Sequence, residues 1–144
     1  MYELELGKLK EMVRKTGANK VLVQMPFGLR PLALEVARAI REAGSLPILH
    51  ADPCHGACDL ALWAMRDLGA DLLVHYGHSR MIEAPEGLSV AYFEARMDLD
   101  VEPVVQKALN LLEPYGPLGL ATTVQHIHQL GRLRELVEAR GHKA

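Results

Sequence analysis

Two short segments hold most of the reactive side chains in this sequence. The first is His50-Ala51-Asp52-Pro53-Cys54-His55-Gly56-Ala57-Cys58-Asp59, and the second is Val74-His75-Tyr76-Gly77-His78-Ser79. Thiols, imidazoles and carboxylates at this density suit a metal or redox site, because thiolate and neutral imidazole are soft and borderline metal ligands. Each segment follows a run that reads as a buried β-strand. Open α/β sheets bind ligands beyond the carboxyl ends of such strands. Gly77 allows tight curvature or a close approach of backbone to ligand.

Each group also has a plainer role. If Asp52 or Cys54 caps the next helix, Cys58 falls in its first turn, where the helix N-terminus favours thiolate. Either cysteine could instead be a small apolar residue between helix and sheet. His75 and His78 could hold zinc together with Cys58, or be one core histidine and one solvated one. Thr122-Thr123-Val124-Gln125-His126-Ile127-His128 suits hydrogen bonds to a polar ligand, or the capping of a last helix. The two cysteines of the chain are too few thiolates for an iron–sulfur cluster on their own.

The elements that must position these groups follow from hydrophobic period. Leu4, Leu9, Met12 and Val13 fit a helix stopped by Gly17. Strands are expected at Val21 to Gln24, Pro47 to Ala51, Asp71 to His75, Leu88 to Phe93 and Leu118 to Ala121. Helices are expected from Pro31 to Gly44, through Leu60 to Leu68, from Pro103 to Leu112, and from Gln129 to Arg140. Strands alternating with helices imply right-handed βαβ units, hence an α/β, three-layer domain with a mostly parallel, Rossmann-like sheet. Pro114-Tyr115-Gly116-Pro117 reads as punctuation. The expected division is therefore a first α/β domain over 1–114 and a strand–helix unit over 115–144. That unit either completes the first domain or starts a truncated second one.

The 144 residues are the size of one domain, with 49% hydrophobic and 24% charged residues. A net charge of -2 gives no basic field for nucleic acid and no polybasic membrane patch. No apolar run reaches bilayer length, and Met1-Tyr2-Glu3-Leu4-Glu5 lacks a signal-peptide pattern. The expected compartment is the cytoplasm, where thiols stay reduced. Neither a Gly-rich dinucleotide fingerprint nor a phosphate loop is present, and no Gly-x-Ser-x-Gly elbow occurs. These absences disfavour a nucleotide kinase, an ordinary dehydrogenase and a serine hydrolase.

Four motifs in order bring these pieces together. They are Gln24-Met25-Pro26-x-Gly28-Leu29, Asp52-Pro53-x-x-Gly56-Ala57-Cys58-Asp59, Asp71-Leu72-Leu73-Val74-His75-Tyr76-Gly77-His78-Ser79 and Thr122-Thr123-Val124-Gln125-His126. The sequence from about Lys20 to Arg140 resembles the archaeal diphthamide synthase family, the 2-(3-amino-3-carboxypropyl)histidine synthases. The resemblance implies three similar α/β domains that each lend one cysteine to a 4Fe–4S cluster. S-adenosyl-L-methionine would bind the open iron, and its aminocarboxypropyl radical would add to a histidine of translation elongation factor 2. It also implies a homodimer, or pairing with a longer relative. Cys58 matches the family's first cluster cysteine, whereas Cys54 lies where the family requires none. Gln24, Gly28, Asp52, His75, Gly77, His78, Ser79, Gln125 and His126 would line the cleft near S-adenosyl-L-methionine or the cluster. Phe27 replaces the usual Glu and His55 the usual Tyr, and the sequence ends at Ala144, just inside what would be the second domain. A non-catalytic module pairing with a fuller chain, and a mononuclear zinc protein, are the other readings.

Overall fold

The computed structural model describes residues 2–144. It divides into two compact units, one over Leu4–Ala95 and one combining the N-terminal residues up to Glu3 with Arg96–Ala144. The chain therefore passes between units at Ala95 and Arg96.

The Leu4–Ala95 unit begins with α1 (Leu6–Thr16), which ends at Gly17 in the left-handed region. β1 (Lys20–Gln24) follows, then a 3-10 turn (Phe27–Leu32) containing Pro31, and α2 (Ala33–Glu42). β2 (Leu46–Leu49), α3 (Leu62–Asp67), β3 (Leu72–Tyr76) and β4 (Val90–Phe93) complete it. The strands form one sheet in the order β2-β1-β3-β4, and every pairing is parallel. Helices flank this sheet, as the alternating pattern predicts.

Register explains how the sheet carries both a core and a site. Leu22 pairs with Leu73, and Leu73 with Val90. These residues face α3 in a cluster with Ala61, Ala64 and Met65. Side chains alternate along a strand, so the next residues on that face are Gln24, His75 and Tyr92, which are again register partners. An apolar row therefore gives way to a polar row at the carboxyl ends of three adjacent strands. On the opposite face Tyr76 stacks on Phe93 with centroids 5.1 Å apart, and its hydroxyl donates to the Leu4 carbonyl at 2.9 Å. At the start of the strands the Asp71 carboxylate accepts from the Asn19 and Lys20 amides, which ties β3 to β1.

β2 is not the buried strand its composition suggests. It forms the sheet edge, and Leu46 and Leu49 are exposed. Nor does the chain turn helical soon after Cys54. The Gln24 amide grips the intervening loop, donating from Nε2 to the Asp59 carbonyl at 2.8 Å and accepting at Oε1 from the Ala61 amide at 3.1 Å. That clamp holds the backbone out of a helix until Leu62.

In the second unit Tyr2 bridges Met97 in antiparallel fashion. α4 (Glu102–Leu112), a 3-10 helix (Val124–Gln129) and α5 (Leu130–Ala139) follow. Arg132 on α5 pairs with Glu102 on α4. The expected strand at Leu118 to Ala121 does not form. Gly119 weakens it, no neighbouring strand pairs with it among the described residues, and the Leu118 amide bonds to the Lys143 carbonyl instead. Among the described residues no helix is long and apolar enough to cross a membrane.

Candidate functional site

The polar row is fully or largely buried: His75 is 0% exposed and Gln24 2%. His75 Nδ1 lies 3.0 Å from Gln24 Oε1, and His75 Nε2 lies 2.9 Å from His78 Nδ1. The loop backbone fixes which end of the Gln24 amide is oxygen, and an oxygen without hydrogen can only accept. His75 therefore carries its proton on Nδ1 and donates it to Gln24. Burial, with the neighbouring His78, pushes the His75 pKa from 6.5 down to about 4, so the ring is neutral at pH 7 and its Nε2 is bare. His78 then donates from Nδ1. Its pKa is lowered too, chiefly by burial and against the pull of the Tyr76 backbone and Asp59. A single chain of hydrogen bonds thus sets the tautomers of both histidines.

Tyr92 closes the row, its ring edge-on to His75 at 5.4 Å. Its hydroxyl lies 3.4 Å from the carbonyls of Ala57 and Ile82, which anchors the cysteine loop beside the histidines. Burial raises the Tyr92 pKa, and so does Cys58, while Arg80 lowers it. Cys54 is 2% exposed, and burial pushes its thiol up to about 11. Cys58 is exposed. It lies four residues before α3, so the first-turn position expected for it is not formed. Ligand atoms of Cys54, His75 and His78 all lie within 4.8 Å of one another. The structure thus pairs Cys54, not Cys58, with the two histidines. The plainer reading of Cys54 as a small buried residue captured its burial but not its company.

The other expected residues are placed as follows. Gly77 sits at φ 86, and a Cβ there would lie 2.7 Å from Pro26 Cγ, so its close approach is to Pro26. Gly28 faces open space in the 3-10 turn. Ser79 donates to Glu94 at 2.8 Å. Asp52 is exposed, and its backbone carbonyl lies 3.0 Å from His50 Nδ1. Gln125 and His126 belong to the second unit, on the 3-10 helix. His126 Nδ1 is buried with no hydrogen-bond partner among the described residues. Sequence reasoning missed Tyr92, and it weighed Cys54 without joining it to the histidines. Tyr92 is found only once the register is known, and the company of Cys54 only once the loop path is known.

Residues 25–144 match the family model for diphthamide synthesis proteins. The chain belongs to the diphthamide synthesis family. It is 31% identical over 142 residues to the 2-(3-amino-3-carboxypropyl)histidine synthase of Pyrococcus horikoshii, covering 98% of this chain and 41% of that protein. It is 33% identical over 129 residues to subunit 1 of the same synthase from Gallus gallus, covering 88% of this chain and 32% of the relative. The crystal structure of Dph2 from Pyrococcus horikoshii with a 4Fe–4S cluster superposes with a TM-score of 0.91 at 31% identity, over 99% of this chain and 43% of that one. This chain thus spans about two fifths of its archaeal relative. Its donor set fits one corner of such a cluster. Cys58 is an exposed free thiol in a strand-end loop, while Cys54 is sealed away and protonated. The remaining ligands of a cluster must come from outside these 144 residues.

Proposed function

We propose that this chain supplies the first α/β domain of an iron–sulfur transferase. The complete enzyme would move the 3-amino-3-carboxypropyl group from S-adenosyl-L-methionine to a histidine of translation elongation factor 2, in the cytoplasm. The observation that carries this reading is the exposed Cys58 in the loop clamped by Gln24, on a fold with a TM-score of 0.91 to a cluster-bearing Dph2. Cys58 would be one iron ligand. The cluster, when bound, supplies the electron that cleaves the sulfonium.

The chain's own residues have roles that follow from geometry. Gln24 holds the cysteine loop through Asp59 and Ala61, and so sets where Cys58 stands relative to β1. Gln24 also orients the His75 ring, which in turn is hydrogen-bonded to His78. Asp52, Gly28, Gly77 and Ser79 would line the same strand-end cleft. A longer relative would supply the missing thiolates, because a second copy adds only one more exposed cysteine, so a mixed pair is part of the proposal.

The test is anaerobic reconstitution with iron and sulfide, alone and with a longer relative. Elongation factor 2 and S-adenosyl-L-methionine are then added, and the factor is weighed by mass spectrometry. A gain of one aminocarboxypropyl group that vanishes in Cys58→Ser is expected. Full transfer by Cys58→Ser would sink the assignment. If binding of the longer relative survives while transfer proves independent of this chain, the chain is a non-catalytic module.

A further inference from the structure

We propose that Cys54, His75 and His78 form a mononuclear site for a divalent transition metal of the zinc class, separate from Cys58. The inference is independent of the transfer reaction. It rests on four features of the Leu4–Ala95 unit.

The donor types are those of zinc sites: one thiol sulfur and two imidazole nitrogens. They come from three backbone positions that the fold fixes firmly. His75 is the penultimate residue of the fully buried strand β3. His78 follows across Gly77, whose backbone is locked by a 2.7 Å bond to the Phe93 carbonyl. Cys54 is held by its amide, which bonds to the Met25 carbonyl at 3.3 Å just past β1.

The spacing is close to a finished site. Tetrahedral zinc places its N and S donors about 3.3 to 3.6 Å apart, given bond lengths of about 2.0–2.1 and 2.3 Å. Here His75 Nε2 and His78 Nδ1 already stand 2.9 Å apart, and all three donors lie within 4.8 Å. An ion entering between the rings displaces one hydrogen bond and needs only side-chain adjustment.

The outer contact is also in place. A metal-bound histidine almost always gives its second ring N–H to an acceptor that fixes its orientation. His75 Nδ1 gives its proton to Gln24 Oε1, which leaves Nε2 aimed at His78. Gln24 is in turn locked by two backbone bonds.

The balance of protons is simple. The Cys54 thiol loses one proton to solvent as its sulfur binds the ion. His78 keeps its single proton, which moves from Nδ1 to Nε2. The fourth position falls to water. Metal binding therefore replaces the buried thiol with a neutralised thiolate and releases about one proton per ion.

The test uses the chain stripped of metal by chelator and titrated anaerobically with Co2+ alone, read by visible and near-ultraviolet absorption. One equivalent should give intense four-coordinate ligand-field bands and a thiolate-to-cobalt charge-transfer band, displaced by Zn2+. Cys58→Ser should retain both. Cys54→Ser should lose the charge-transfer band, and His78→Ala should weaken binding by more than about 100-fold, since even outer-shell changes cost about 10–100-fold. Charge transfer that persists in Cys54→Ser, or that disappears in Cys58→Ser, overturns the proposal. So does a wild-type chain that gives only weak six-coordinate bands. If Cys54→Ser fails to fold by circular dichroism, the partly exposed His78→Ala variant decides: unchanged cobalt affinity overturns the site. Failure of the cluster experiment leaves these spectra unaffected, so the two readings fall separately.

Discussion

Gly77→Ala isolates the turn that carries the chain from His75 to His78. Gly77 has φ 86, and an added Cβ would sit 2.7 Å from Pro26 Cγ, 3.1 Å from Pro26 Cδ and 3.5 Å from a Leu29 methyl. An L-residue in the left-handed region costs roughly 1–2 kcal/mol. Forcing a methyl into a packed contact costs a further ~1–3 kcal/mol. The proline ring is too stiff to turn aside, so the two costs add. The expected loss is about 2–5 kcal/mol, a large part of the ~5–15 kcal/mol that holds an ordinary domain together. Gly28→Ala is the matched control, because that site faces open space without a positive φ. Urea unfolding followed by circular dichroism and by the single tryptophan, Trp63 of α3, reports on the same unit. The unfolding midpoint should fall sharply for Gly77→Ala with little change in slope, and stay near wild type for Gly28→Ala. A loss under about 0.5 kcal/mol for Gly77→Ala, or equal losses for both variants, would refute this account of the turn.

Two further outcomes follow from the buried groups. His75 binds its proton at 6.5 when unfolded but only at about 4 when folded. In that window the unfolded chain holds more protons, so stability falls with falling pH, by about 2 kcal/mol between pH 7 and 5; a flat urea midpoint over that range contradicts the buried neutral ring. Cys54, with its thiol pushed up to about 11, has roughly one thiolate in a thousand at pH 8. Iodoacetamide should therefore label exposed Cys58 first and reach Cys54 only on unfolding, as read by peptide mass; equal labelling rates in the native protein would refute the burial.

The fold was largely legible because β1 and β3 are short apolar runs and because Gly17, Gly44 and Gly69 stop their helices cleanly. What pattern alone missed depended on partners. Leu118 to Ala121 has strand composition but no neighbour to pair with among the described residues. The Cys54–Cys58 loop has helical spacing, yet the Gln24 amide captures its backbone before a helix can start. The same capture separates the two cysteines, one drawn in beside the histidines and one left outside. Hydrophobic period carries no information about such a clamp. The motif residues Gln24, His75 and His78 were visible in the sequence. Their union into one proton-ordered chain needed the register that sets Gln24 opposite His75.

The Gln24 clamp also sets a schedule for the newly made chain. Gln24 leaves the ribosome first, and its partners follow 35 and 51 residues later. At about 5–20 residues per second, that delay is roughly 3–10 s. Throughout it β1 has no β3 beside it and the Gln24 amide is hydrated. Closing those long loops is an entropic cost met only when β3 docks. The histidine pair and the cysteine loop are therefore assembled in a single late event. Metal capture then follows folding instead of guiding it, and an incomplete chain offers no preformed thiol–imidazole trap to stray ions.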